Sequence, residues 1–92
     1  MALFFEWNEN KASTNLEKYA ISFEEATTVF GDEGSISISD PLHSLSEDRF
    51  IIIGYSSNHR LVVVVHTERG NNIRIISARL ATKRERTFYE SK

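Results

Sequence analysis

With 92 residues, a formal net charge of −2 and no cysteine, the chain can bury roughly 60 to 65% of its unfolded surface, enough for one thin-cored domain over residues 1–92. Missing thiols exclude disulfide staples, a thiolate nucleophile and sulfur-ligated zinc, and no apolar run approaches a membrane span. MALFFEW is broken by Glu6 too early for a signal-peptide core, so a soluble, cytoplasmic protein with no membrane partner is expected.

In chain order, LFFEW (3–7) reads as a short strand, and Asn8 as the N-cap of a helix through NENKASTNLEKYA. On that helix Ala12, Leu16, Tyr19 and Ala20 form the expected apolar stripe, with Lys11, Asn15 and Lys18 on a polar face. Ser22 and Glu25 have capping-box spacing, and Phe23, Ala26, Thr27 and Phe30 continue at helical spacing until GDEG. SISISD alternates as a strand, and Pro41 opens the loop PLHSLSED. RFIIIGY, RLVVVVHTE and NIRIISARLA are β-branched runs separated by the turn-like SSNH and RGNN, and should pair as antiparallel neighbours. Thr82 and Glu85 then start a terminal helix through KRERTFYE. The expected fold is α+β: an antiparallel sheet of four to five strands with two N-terminal helices and one C-terminal helix. Its order is β-α-α-β-β-β-β-α, with helices mainly on one face.

Charge divides along the chain. Residues 1–48 hold ten acids against Lys11 and Lys18, a net of −8, whereas residues 49–92 hold nine bases against three acids, a net of +6. Seven of those nine bases are arginine, whose planar fork suits bidentate phosphate contacts; mutual neutralisation of the two halves is the plainer reading. Arg74 and Arg79 interrupt apolar strand sequence. In a regular strand they face opposite ways, Arg74 with Asn72, Ile76 and Ala78, and Arg79 with Ile73, Ile75 and Ser77. A bulge, or the turn after Arg79, could bring both to one side. A trough carrying Arg49, Arg60 or Arg74, with His43, Glu47 and Asp48 at its rim, could cleave RNA without a metal. Arginines would hold charge on the phosphate, while Glu47, His43 or His66 would move protons. Scattered arginines, or arginines each held by a carboxylate of the same chain, would speak against it.

Each residue also has a plainer reading. His43 is a solvated loop histidine, His59 a turn residue and His66 a core histidine. Glu47 with Arg49 is an ion pair, and Lys11 with Lys18 a solvated helix face. The histidine spacing offers no metal site.

FEWNENKASTNLEKYAISFEEATTVF, EDRFIIIGYS, RLVVVVHTERG and IRIISARLATKRERTFYE together resemble the BrnT family of toxins from bacterial type II toxin–antitoxin systems, nearly end to end. The resemblance implies a RelE-like ribonuclease fold, cleavage of RNA without metal or other cofactor, and neutralisation by a BrnA-like antitoxin. A heterotetramer around an antitoxin dimer is implied, with operator DNA bound only through the antitoxin. Matching polar positions are Glu6, Lys11, Asn15, Lys18, Glu47, Arg49, Arg60, Thr67, Glu68, Arg74, Ser77, Arg79, Glu85 and Arg86. Asn8 replaces the usual aspartate, and Lys18-Tyr19-Ala20 replaces the usual Lys-His-Gly, so proton transfer by that histidine would pass to His43. The expected assignment puts Arg49, Arg60, Arg74 and Arg79 on phosphate and its transition-state charge. Glu47 or His43 is the general base, Lys18 the acid or a positioning group, and Lys11 and Arg84 further substrate contacts. A binding module without catalysis is the alternative, motivated by Tyr19; RNA binding alone lacks interleaved aromatics.

Overall fold

The computed structural model describes residues 3–40 and 49–91. Their elements are β1 (Phe4–Glu6), α1 (Glu9–Tyr19), α2 (Phe23–Thr28), a 3-10 turn (Val29–Gly31), β2 (Ile36–Ser39), β3 (Arg49–Tyr55), β4 (Leu61–Arg69), β5 (Asn72–Leu80) and α3 (Lys83–Glu90). This is the expected order.

Local chemistry sets the helix boundaries. Asn8 Oδ1 accepts the Lys11 N–H at 3.1 Å, and Ser22 Oγ accepts that of Glu25 at 3.0 Å. Thr82 and Glu85 complete a reciprocal capping box, with bonds of 3.1 and 2.8 Å. At the end of α1, Ala20 turns into the left-handed region at φ 59° while its N–H reaches Leu16 O at 2.9 Å.

The strands form one mostly antiparallel sheet in the order β1-β5-β4-β3-β2, with β1 parallel to β5. One face carries Ile52, Val62, Val64, Ile73, Ile75 and Ala78 against Ile21, Phe23, Ala26 and Val29. Burying a ring such as Phe23 contributes about 1.5–3 kcal/mol. Gly54 lies where this layer is tightest: a Cβ there would come within 3.0 Å of Asp32 Oδ2 and 3.1 Å of Val29 Cγ1.

The opposite face carries Ile53, Leu61 and Val63 beneath Tyr89 of α3. α3 therefore lies on the face opposite α2, in place of the expected arrangement with helices mainly on one face. Its anchors are Tyr89, whose hydroxyl donates to Asp32 Oδ2 at 2.7 Å, and the edge-on packing of Tyr89 against Tyr55. Asp32 and burial push the Tyr89 phenol up to about 12.

α1 departs further from expectation. Leu16 and Tyr19 are 51% and 37% exposed, and Ala20 is exposed, whereas Asn15 from the expected polar face is buried. The cause lies at the sheet edge. β1 pairs only with residues 72–74 of β5, so the backbone beyond needs other partners. Asn15 supplies them: its Nδ2 donates to Ala78 O at 2.8 Å and Ile21 O at 3.0 Å, while its Oδ1 accepts the Ala78 N–H at 3.1 Å. One amide side chain substitutes for a strand, turning the polar side of α1 toward β5.

Candidate functional site

The site is built on an irregularity in β5. Ser77 pairs with Val65 and Ile75 with His66, so Ile76 has no partner on β4. This one-residue bulge reverses the facing of everything after it. Ile73 and Ile75 lie with the α2 core before the bulge, and Ala78 joins the same core after it. Arg74, Ser77 and Arg79 consequently share the opposite face. The bulge sits in mid-strand rather than at the strand end, and brings together two arginines that regular alternation would separate.

Arg74 lies opposite Thr67, which lies opposite Arg49 on β3; Glu6 on β1 completes the row. Opposed residues project from one face, so Arg49 and Arg74 flank Thr67, with Cα atoms roughly 10 Å apart from the strand spacing. Thr67 is buried and its hydroxyl has no hydrogen-bond partner among the described residues. Arg49 has no carboxylate partner among the described residues. Arg74 donates to Glu6 Oε2 at 2.8 Å, with side chains 41% and 48% exposed. Such exposed pairs contribute about 0–1 kcal/mol and exchange readily with another anion.

The other two arginines are differently placed. Arg79 makes a two-pronged contact with Glu85 at 2.7 and 2.8 Å, and this contact holds the Glu85 carboxyl down at about 2. Because Glu85 also caps α3, Arg79 fastens that helix to β5 while remaining on the shared face. Arg60 does not join the trough as expected. Its guanidinium is tied to both Glu25 carboxylate oxygens and to Ala20 O, bridging α2 and the end of α1. The Glu25 side chain is almost fully buried and also accepts from Ser56 Oγ at 2.7 Å. Arg60, with desolvation as the opposing effect, pulls the Glu25 carboxyl below its usual value. Arg60, Arg74 and Arg79 thus each have a carboxylate partner in their own chain, contrary to the arrangement expected of three free phosphate ligands. Of these three, only Arg74 has a partner that is largely in solvent.

Beside the bulge, between α1 and β5, lies a cavity of about 370 Å³. Lys11, Thr14, Lys18 and Tyr19 line it from the helix, and Ile76 and Ser77 from the strand. Lys18 Nζ stands 5.3 Å from the centre of the Tyr19 ring, within cation–π range. The expected contacts Lys11 and Lys18 are brought together here. Thr14 and Ile76 were not singled out in the sequence. Thr14 was legible from its spacing, three residues after Lys11 and four before Lys18; Ile76 was not.

His43 and Glu47 lie outside the described residues. Arg84 is exposed on the first turn of α3. His59 occupies the turn before β4 at φ 62°. His66 is fully buried between the rings of Phe30 and Phe50, and burial lowers its pKa to about 4, so it is a neutral core residue at neutral pH. No cluster of three metal-ligating side chains occurs among the described residues, and no described helix is long and apolar enough to cross a membrane.

Residues 7–85 match the family model for the ribonuclease toxin BrnT of type II toxin–antitoxin systems. No curated protein matches the sequence. A crystal structure of the Brucella abortus ribonuclease toxin BrnT is similar with a TM-score of 0.66 and 21% identity, over 89% of this chain and 100% of that one. At that identity the likeness concerns the fold.

Proposed function

Because the chain belongs to the BrnT family of ribonuclease toxins from type II toxin–antitoxin systems, we propose that it cleaves RNA without a metal and thereby inhibits translation. The 2′-hydroxyl oxygen attacks the adjacent phosphorus, the bond to the 5′-oxygen breaks, and a cyclic phosphate and a free 5′-hydroxyl result. One group must take the 2′ proton, another must protonate the leaving oxygen, and cations must hold the charge on the non-bridging oxygens.

The observation that carries this reading is the row in which Arg49 and Arg74 lie on either side of Thr67 on one sheet face, with the bulge at Ile76 turning Arg79 to that same face. Arg49 and Arg74 bind the phosphate, Arg74 exchanging the exposed Glu6 carboxylate for it. Glu47 or His43 is the base. Lys18 protonates the leaving oxygen or positions the substrate, Lys11 and Arg84 hold flanking phosphates, and Arg79 adds positive charge while fastening α3. Arg60 acts through the position of the α1 end. Incubation of the protein with RNA in excess chelator should yield cyclic- or 3′-phosphate ends; cleavage equal to that of Arg49→Ala and Arg74→Ala controls would refute the assignment.

A toxin of a type II system has a cognate antitoxin. Here it is a BrnA-like protein that presents acidic or apolar surface to the arginine face, forms a heterotetramer around its own dimer and alone contacts operator DNA. The setting is the cytoplasm. Tyr19, in place of the histidine usual in the family, favours a second reading in which the chain survives as a non-catalytic partner in operon control. Induced expression without growth arrest would support it over the first.

A further inference from the structure

We propose that the cavity between α1 and the bulged part of β5 is a nucleoside-monophosphate subsite, in which Tyr19 stacks one unpaired base of the RNA while Lys11 and Lys18 hold its phosphate. This rests on the ribonuclease reading and adds to it the residue that chooses which nucleotide is held.

The cavity's size and chemistry agree on the occupant. About 370 Å³ falls within the roughly 300–1,000 Å³ range of small-molecule sites. Its lining combines an aromatic face, two ammonium groups and the hydroxyls of Thr14 and Ser77. A peptide anion would use the ammonium groups and leave the ring idle. An apolar ligand would use the ring and leave the ammonium groups unpaired. A nucleotide uses all of them: base on ring, phosphate on lysine, and base edge on the Ser77 hydroxyl and on Thr14 Oγ1, which accepts while its own proton goes to Asn10 O at 2.9 Å.

Tyr19 is suited to stacking by its exposure and its support. It is 37% exposed although it stands at an apolar position of α1, so its ring is not spent on the core. The residue after it is fixed from two sides, by its own N–H on Leu16 O and by the Arg60 guanidinium on its carbonyl. A ring held beside an anchored backbone loses little freedom on binding. The bulge supplies the opposite wall, with Ile76, which has no partner on β4, and the paired Ser77 both at the cavity.

The test separates binding from cleavage. Adenosine 3′-monophosphate is titrated into the full chain and followed by nuclear magnetic resonance, with ribose 5-phosphate as the probe lacking a base. Shifts at the Tyr19 ring and the Ser77 amide are expected with the nucleotide, and at least tenfold weaker binding of ribose phosphate. Tyr19→Leu should weaken nucleotide binding about tenfold while Tyr19→Phe restores it. In parallel, RNA of mixed sequence should lose its nucleotide preference at one position with Tyr19→Leu and keep it with Tyr19→Phe. Equal binding of the two probes, no perturbation at Tyr19, or wild-type binding by Tyr19→Leu overturns the subsite whether or not RNA is cleaved. Nucleotide binding at Tyr19 by a chain that cleaves no RNA upholds the subsite and refutes the ribonuclease assignment instead.

Discussion

Arg60 and Arg74 both meet a glutamate of their own chain, at opposite ends of β4, yet the two pairs behave as different devices. Glu25 is 6% exposed at its side chain and has Ser56 as a second partner, so Arg60 closes a buried joint between α2, the end of α1 and the β3–β4 hairpin. Glu6 is 48% exposed, and Arg74 shares its row with Arg49, which has no carboxylate partner among the described residues. Burial of the carboxylate, rather than presence of the arginine, separates structural fastening from ligand binding. Removing one member of a buried pair strands a charge in low dielectric, whereas an exposed pair dissolves into water at little cost. Arg79 stands between the two cases, with Glu85 26% exposed but held by two bonds and by the α3 cap.

The largest test of this contrast concerns Asn15, which lines the open cavity yet belongs by its bonds to the closed region. Asn15→Leu leaves Ala78 N–H, Ala78 O and Ile21 O without partners and should lower unfolding stability by about 4 kcal/mol. Urea denaturation reads this directly; a change under 1 kcal/mol would mean that water replaces the amide and that β5 has an open edge.

Arg60→Ala should cost about 3 kcal/mol by stranding Glu25. Arg74→Ala should leave stability within about 0.5 kcal/mol while lowering cleavage about a hundredfold. Thermal melts beside cleavage rates decide: equal stability losses in the two variants would erase the distinction drawn here.

Acid pulls the closed region apart in two stages. His66 is depressed from 6.5 to about 4 and Glu85 from 4.5 to about 2. Stability is therefore fully present above pH 6.5, falls toward pH 4 as the unfolded state alone takes up the His66 proton, and falls again between 4.5 and 2 as Glu85 protonates. His66→Phe should flatten the first stage and Glu85→Gln the second, measured by unfolding midpoint against pH.

The smallest effect is a gain. Ala20 sits at φ 59°, where a side chain is strained, so Ala20→Gly should stabilise the chain by about 1 kcal/mol. Reduced stability would show that the Arg60 contact at Ala20 O needs the stiffer residue.

Sequence reading recovered the elements because their causes are local. Asn8, Ser22 and the Thr82–Glu85 pair each act three residues away, and the β-branched runs carry their own period. It failed on the faces of α1. Leu16 and Tyr19 looked like core and Asn15 like surface, because the demand that buries Asn15 arises from backbone groups of Ala78, 63 positions along the chain. Lys11 and Lys18 were legible as a shared face; that this face turns toward β5 was not.

The amino-acid order by itself determined where helices and strands begin, which arginines interrupt apolar sequence, and the family to which the chain belongs. Only the tertiary structure decided what those arginines do. A bulge is a mismatch between two strands and exists in neither alone, so Ile76 and the shared facing of Arg74 and Arg79 emerge once β5 registers on β4. Whether a guanidinium is fastened or available depends in the same way on how deeply its carboxylate is covered, and that cover comes from helices distant in sequence.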